Sequence, residues 1–157
     1  MELVPSELGL ATRREAPTIA AMSRDYVERG LRWRWRVPAI ENLIASSDTV
    51  VLCARVPTSR GKSIAGFGIM QYTLEEAHLI LLAVRPRMRR RGLARDMLAW
   101  LEKTADTAGI RKIALEVRER NSGAREFYRK QGYRSGPSIP RYYDGIETAV
   151  RMAKKLR

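Results

Sequence analysis

Three stretches of this sequence carry residue types and spacings that could do chemistry. The first is a basic turn over residues 85–95, where Gly92 lets the backbone come close to a ligand. The second contains Glu116, a carboxylate inside a predicted strand, and the third contains Tyr128, a phenol on a predicted helix. These residue types predict an anion site, a proton acceptor and a proton donor.

The basic turn lies between a predicted strand and a predicted helix. The apolar run over residues 77–84, closed by Pro86, predicts a strand that is buried on both faces. An apolar residue then recurs every four positions from Leu93 to Ala105, which predicts a helix. Such a turn directs free backbone N–H groups and the positive end of the helix dipole at one point, which suits a phosphate or pyrophosphate. The patterns G-x-x-x-x-G-K-S/T and G-x-G-x-x-G are absent, which excludes two familiar nucleotide-phosphate loops.

The rest of the chain predicts further helices and strands within one domain over residues 1–157. Predicted helices cover residues 17–29, 38–45, 93–108 and 121–131, and predicted strands cover residues 8–12, 49–56, 63–73, 75–84, 112–117, 133–143 and 147–156. Turn residues predict a hairpin loop at residues 57–62 and a two-residue turn at Asp144-Gly145.

Composition excludes several other kinds of site. The only cysteine, Cys53, rules out an internal disulfide and a cysteine-rich zinc site, and we expect it in the core. The only histidine, His78, has too few possible co-ligands nearby, so we expect no metal site and a histidine that packs or supports another side chain. Residues 1–5 do not resemble a secretion signal, and no apolar run approaches ~18 residues, so we expect a cytoplasmic protein without a membrane span.

Two motifs together resemble the GCN5-related N-acetyltransferase (GNAT) family. The basic turn reads Arg89-x-x-Gly92-x-Ala94, which is similar to the acetyl-coenzyme A loop of that family. Downstream, Leu-Glu-Val-Arg at residues 115–118 precedes an asparagine, a helix with an aromatic pair, and Gly132-Tyr133, in the family's order. The resemblance covers residues 63–156 and is greatest to the ribosomal-protein alanine N-acetyltransferases and the N-terminal acetyltransferases.

The resemblance implies an α/β fold of the GNAT type and a site for acetyl-coenzyme A. The fold would be a mixed, twisted sheet of seven strands with helices on both faces, whose two central strands splay apart. The gap would admit the pantetheine arm, and the six arginines of the basic turn would lie near the three phosphates of coenzyme A. The residues expected to bind acetyl-coenzyme A are Leu82, Ala83, Val84, Arg89, Arg90, Arg91, Gly92, Leu93, Ala94, Arg95 and Asn121.

The implied reaction is the attack of an amine on a thioester. Glu116 would take a proton from the amine, and Tyr128 would return one to the departing thiolate. A model α-amine with a pKa of ~7.8 is about one-seventh neutral at pH 7, whereas a lysine needs roughly 3.5 kcal/mol more help, so a modest base suffices for a protein N-terminus. The alternatives are a salt bridge of Glu116 with Arg118 or Arg120, and a core packing role for Tyr128.

The acceptor and other partners are less constrained by the sequence. Trp33, Trp35, Tyr142 and Tyr143 lie on the two segments that border the acceptor groove in the family, although the tryptophans could instead form an arginine-covered patch over the core. We expect a protein N-terminus as acceptor, with a small amine as the alternative, in a monomer or a homodimer. The net charge of +13 and the Arg-Trp alternation raise a second hypothesis, a non-catalytic nucleic-acid or ribosome-binding domain, but Glu116 and Tyr128 favour the enzyme.

Overall fold

The computed structural model describes residues 6–156, so residues 1–5, from which we expected no secretion signal, lie outside it. The strands are β1 (Glu7–Leu10), β2 (Thr49–Thr58), β3 (Gly61–Tyr72), β4 (Glu76–Val84), β5 (Lys112–Arg118), β6 (Arg134–Tyr143) and β7 (Glu147–Lys155). The helices are α1 (Ala16–Met22), α2 (Val37–Ala45), α3 (Leu93–Thr107) and α4 (Ser122–Lys130). Among these residues, no helix combines the length and the apolar character that crossing a membrane requires.

All seven strands join in one sheet, which confirms the predicted fold class. Their order is β1-β2-β3-β4-β5-β7-β6, and in the described chain β4 and β5 form the one parallel pair. This pair is joined only from Glu76 to His78 on the β4 side, although β4 continues to Val84. The two strands therefore splay apart over the second half of β4, as the resemblance implied.

Helices cover both faces of the sheet. Helix α3 packs its apolar stripe, including Met97 and Leu101, into the core on one face, where α4 adds Tyr128. On the other face, α1 and α2 contribute Ile19 and Ile40 to a second core. The close approach of α3 depends on small residues in β3, because a Cβ at Gly66 would lie 2.8 Å from the Met97 side chain and 2.9 Å from a backbone oxygen.

Strand β4 differs from the prediction of a strand buried on both faces. Its side chains alternate between buried and half-exposed from Ala77 to Leu82, because the splay leaves part of the strand uncovered. A β-bulge near Ile80 changes which face of the sheet the following side chains lie on. Leu79 packs into the α3 core on one face, whereas Leu81, two residues later, packs into the α1 core on the other. The half-exposed side chains of this strand border the cavities described below.

The first predicted helix also ends sooner than expected. Helix α1 stops at Met22, and a single π-helical turn, Ser23–Val27, follows in place of the α-helix predicted to residue 29. The carboxylate of Glu28 explains the change of course, because it accepts hydrogen bonds from the Ser23 hydroxyl at 2.8 Å and from the backbone N–H of Arg34 at 2.6 Å. The loop between α1 and α2 is thereby folded over the sheet.

The two predicted hairpin turns differ in outcome. The loop predicted at residues 57–62 is a tighter turn, because the Thr58 hydroxyl bonds to the carbonyl of Gly61 and lets both strands extend. Asp144 and Gly145 occupy a turn with positive φ of 52° and 70°, as predicted. This β6–β7 hairpin stands beside the α1–α2 loop, and Asp144 accepts the backbone N–H of Arg32 at 2.7 Å.

Candidate active site

Two cavities meet at the carboxylate of Glu116. The outer cavity, of about 420 Å³, opens between the α1–α2 loop and the β6–β7 hairpin. The inner cavity, of about 130 Å³, lies in the gap between β4 and β5. Glu116 and Tyr143 line both cavities. Glu116 therefore lies where the two cavities adjoin.

The inner cavity contains side chains predicted to bind the pantetheine arm. Leu82 from β4 and Asn121 from the start of α4 line it on opposite sides of the gap. Asn121 caps α4, because its side-chain oxygen accepts the backbone N–H of Ala124 at 3.1 Å. The cap fixes the asparagine in place, and its side-chain N–H₂ group is not part of that bond.

The basic turn presents a run of free backbone donors at the start of α3. Among the described residues, the N–H groups of residues 90–95 have no hydrogen-bond acceptor in the protein. Gly92, with φ of 83°, and Arg90, with φ of 63°, both adopt the left-handed conformation that turns these N–H groups inward. The donor set therefore suits the pyrophosphate of coenzyme A.

The arginines of the basic turn are not all directed at this point. Arg85 donates to the carbonyl of Ile64 at 2.7 Å and is thereby held against the sheet. Arg89 folds back to the carbonyl of Val84 at 3.1 Å, at the end of β4. Among the residues described, Arg90 and Arg91 form no ion pair and can turn towards an anion.

Tyr128 lies where its motif predicted, on α4 and against the inner cavity. Its ring is packed edge-on between Phe127 and Tyr133, at centroid distances of 5.2 and 5.7 Å. Its hydroxyl forms no hydrogen bond within the described residues, and the side chain is 9% exposed. Burial, with a smaller contribution from Tyr143, raises the pKa of Tyr128. The phenol therefore keeps its proton at assay pH and has no competing partner in the protein.

Glu116 is almost fully enclosed, with a side chain that is 4% exposed. Its carboxylate accepts hydrogen bonds from His78 Nε2 at 2.8 Å, from the Tyr142 hydroxyl at 2.9 Å and from Arg151 Nε at 3.1 Å. The alternative considered from the sequence, a salt bridge, is present, but its arginine is Arg151 and the suggested partners Arg118 and Arg120 are wrong. Both of those arginines pair with Glu147, whereas the β5–β7 register places Arg151 opposite Glu116.

These partners keep Glu116 ionised. Burial alone would raise the pKa of Glu116, but the hydrogen bond and the charge of His78, the hydrogen bond from Tyr142 and the charge of Arg151 outweigh it and lower the pKa to about 2. An anionic carboxylate only accepts hydrogen bonds, so His78 donates to it through Nε2, and in the neutral form of the ring Nδ1 is then an acceptor. Glu116 alone is thus a weak base at neutral pH.

His78 supports another side chain, as one of the two sequence-based expectations had it, but its partner Glu116 and its place in the site were not predicted. Its side chain is 43% exposed and lines the outer cavity, so it is not simply packed. A signal was available, because the implied parallel pairing of β4 with β5 places His78 beside Ala114, and Glu116 is on the same face of β5. Arg151 was not predicted as a site residue, because its position opposite Glu116 depends on how β7 pairs with β5.

The four aromatic residues predicted to bind the acceptor separate into two groups. Trp35, Tyr142 and Tyr143 line the outer cavity, and the two tyrosine rings meet edge-on at 4.9 Å. Trp33 does not line it: its ring packs on the α1 core beneath the guanidinium groups of Arg24 and Arg36. Trp33 therefore fits the alternative considered from the sequence, an arginine-covered patch over the core.

Comparisons with known proteins show relatives in sequence and in fold. The [ribosomal protein bS18]-alanine N-acetyltransferase of Escherichia coli is 37% identical over 99 residues, which cover 61% of this chain and 66% of that enzyme, just under two thirds of its length. The crystal structure of the ribosomal-protein-S18-alanine N-acetyltransferase from Escherichia coli superposes with a TM-score of 0.78 at 26% identity, covering 97% of this chain and 94% of that one. Arabidopsis thaliana NAA60, solved in complex with acetyl-CoA, has the same fold, with a TM-score of 0.84 at 14% identity over 97% of this chain and 99% of its own.

The family assignment rests on most of the chain. Residues 19–133 match the acetyltransferase (GNAT) family, a stretch that contains the basic turn, both splayed strands and the whole of α4. The fold agrees with this match. The chain belongs to the GNAT acetyltransferase family.

Proposed function

We propose that this protein is an N-acetyltransferase that uses acetyl-coenzyme A to acetylate the α-amine of a polypeptide by direct attack in a ternary complex. The observation that carries the proposal is the meeting of the two cavities at Glu116. The inner cavity and the basic turn would hold the donor, and the outer cavity would hold the acceptor. The E. coli relative, named for a ribosomal-protein alanine, supports a protein N-terminus as acceptor and, with it, a cytoplasmic location.

The proton of the amine would leave through the pair formed by Glu116 and His78. Imidazole is the side chain that gains and loses protons most readily near neutral pH. Glu116, held anionic, would fix the ring through Nε2 and stabilise its protonated form, while Nδ1 accepts the proton. Glu116 and His78 therefore act as one base, with the carboxylate supplying charge and orientation.

Tyr128 would serve the other end of the reaction. Acetyl-coenzyme A supplies the activated acetyl group as a thioester. Tyr128 lines the inner cavity, and its hydroxyl, unpartnered in the described protein, would donate a proton to the departing sulfur. The residues at the end of β4, Leu82 to Val84, would hold the pantetheine arm through their backbone, as the family resemblance implies.

Direct attack is favoured over a covalent acetyl-enzyme on cysteine. The only cysteine, Cys53, is fully buried in β2, and burial raises its pKa to about 12. It lines neither of the two cavities. The amine and the thioester would therefore meet in one complex.

Substitution of Gly92 tests the donor site. Gly92→Val should weaken acetyl-coenzyme A binding by about 10- to 100-fold, because a side chain there would displace the backbone donors from the pyrophosphate. Isothermal titration calorimetry measures the affinity directly. Gly109→Val is the matched control, since Gly109 ends the same helix with φ of 87° and open space around it. Unchanged affinity in Gly92→Val would remove the basic turn from the site.

One observation favours an alternative, nucleic-acid binding: the net charge of +13. If the positive charge serves mainly coenzyme A, an RNA oligonucleotide should bind only weakly, and its affinity should fall steeply between 50 and 200 mM salt, by about 10³-fold for six phosphate contacts. Fluorescence anisotropy at both salt concentrations measures this. A tight, sequence-selective complex at physiological salt would support the nucleic-acid-binding alternative.

A further inference from the structure

The mouth of the outer cavity carries two cations that no carboxylate of the described chain neutralises. Arg32 and Arg34, both exposed, line this cavity, and among residues 6–156 neither guanidinium forms an ion pair. Most other exposed arginines near the site have a defined contact, such as Arg151 with Glu116 or Arg120 with Glu147. The two free cations are the part of the cavity that the proposed chemistry does not use.

The carboxylates of the same cavity are already engaged. Glu28 accepts the backbone N–H groups of Arg34 and Trp35, at 2.6 and 3.2 Å. Asp144 accepts a hydrogen bond from the backbone N–H of Arg32 at 2.7 Å, and Glu116 accepts the three hydrogen bonds described above, including the one from His78. These bonds fix the backbone of both arginines, and among the described residues their guanidinium groups have no carboxylate within ion-pair distance.

Arg34 is also held in a geometry that suits a carboxylate. Its guanidinium stacks 4.8 Å from the centre of the Trp35 ring. Stacking occupies the face of the guanidinium and leaves its N–H edge available for a bidentate hydrogen bond. Arg34 lines the same cavity as Tyr142, whose hydroxyl donates to Glu116.

We propose that Arg32 and Arg34 select acceptor polypeptides that carry an Asp or Glu side chain within the first three residues. This inference rests on the proposed function and specifies its substrate class. The α-amine would approach His78 and Glu116, while the carboxylate a residue or two along the chain pairs with the arginines at the mouth. The selection comes from charge at the rim, so it weakens as salt rises.

Paired peptides test this inference. Two peptides that differ only by Glu or Gln at the second position, and two more that differ at the third, are compared by initial rates at low and high salt. We expect kcat/KM to be about tenfold higher for the better Glu peptide at low salt, and the ratio to fall at high salt. In the double variant Arg32→Gln/Arg34→Gln the ratio should approach one. Arg36→Gln is the matched control, because Arg36 stacks on Trp33 outside the cavity and should leave the ratio unchanged.

The possible results separate this inference from the function it rests on. Equal rates for Glu and Gln peptides in the wild type would overturn the inference and leave the N-acetyltransferase function standing. A preference that survives in the double variant would also overturn it, because the selecting cations would then lie elsewhere. Failure of the wild type to acetylate any peptide would instead refute the proposed function, and the inference with it.

Discussion

Replacing Glu116 with Gln is expected to lower kcat by about 10²–10⁴-fold, with little change in acetyl-coenzyme A affinity. The amide is similar in shape, but it lacks the charge that stabilises a protonated His78 and pairs with Arg151. The deficit should shrink as pH rises past the ordinary α-amine pKa of ~7.8, because solvent then deprotonates the amine without help. A pH–rate profile of both proteins with one accepted peptide measures both effects.

The pKa of Glu116 fixes the sign of the remaining pH dependence. The folded pKa of about 2 lies below the ordinary value of 4.5, so the carboxylate is charged above pH 4.5 and loses its charge only as pH falls towards 2. Any loss of wild-type activity between pH 8 and 6 therefore does not come from protonation of Glu116. If the fall in kcat at low pH disappears in Glu116→Gln while kcat itself stays high, Glu116 would be the group that titrates there, and its low pKa would be contradicted.

Two further variants interpret the Glu116 result. Glu119→Gln removes an exposed carboxylate that follows the same strand and lines neither cavity, so it should retain wild-type kcat. His78→Gln should reproduce most of the Glu116→Gln deficit if the two side chains act as one base. Full activity in His78→Gln, together with a deficit in Glu116→Gln, would mean that the proton reaches the carboxylate without the imidazole.

Replacing Tyr128 with Phe is also expected to lower kcat by about 10²–10⁴-fold. The ring and its edge-on contacts with Phe127 and Tyr133 are kept, and no hydrogen bond within the described protein is lost, so the fold should be unaffected. The deficit should persist at pH values where the Glu116→Gln deficit has shrunk. A free thiolate with a pKa of ~8.5 leaves without a proton only above that pH.

The matched control for this variant is Tyr72→Phe. The Tyr72 hydroxyl is also buried without a hydrogen-bond partner in the described protein, but it lines neither cavity, so its loss should leave kcat unchanged. Full activity of Tyr128→Phe across the pH range would reduce Tyr128 to a packing role. The enzyme would then work by positioning and by stabilisation of charge alone.

The local part of this site could be predicted from sequence because it depends on short-range patterns. The position of Gly92 between strand and helix, the cap at Asn121 and the aromatic pair on α4 are each set by neighbours within a few residues. The seven strands were also predicted from local patterns, whereas the splay followed from the family resemblance, since nothing in the sequence of β4 alone shows where its pairing with β5 stops.

What could not be predicted depends on long-range register. Arg151 lies 35 positions from Glu116, and only the β5–β7 pairing places the two side chains opposite each other. Nothing in the sequence distinguished Trp33 from Trp35 as a cavity residue. Only Trp35 lines the outer cavity, because hydrogen bonds to Glu28 fold the α1–α2 loop into an irregular path. The bulge near Ile80 likewise needs the register of β3 to become visible.

The central claim, direct acetyl transfer to a polypeptide amine, has one decisive measurement. The protein is incubated with acetyl-coenzyme A, with and without a panel of peptides and small amines, and intact-mass spectrometry is combined with a thiol assay. We predict one acetyl group on the α-amine of a peptide for each coenzyme A thiol released, and no acetylated enzyme in the absence of an acceptor. Release of thiol without acetylation of any amine, or an acetyl group held covalently by the enzyme before an acceptor is added, would contradict the account.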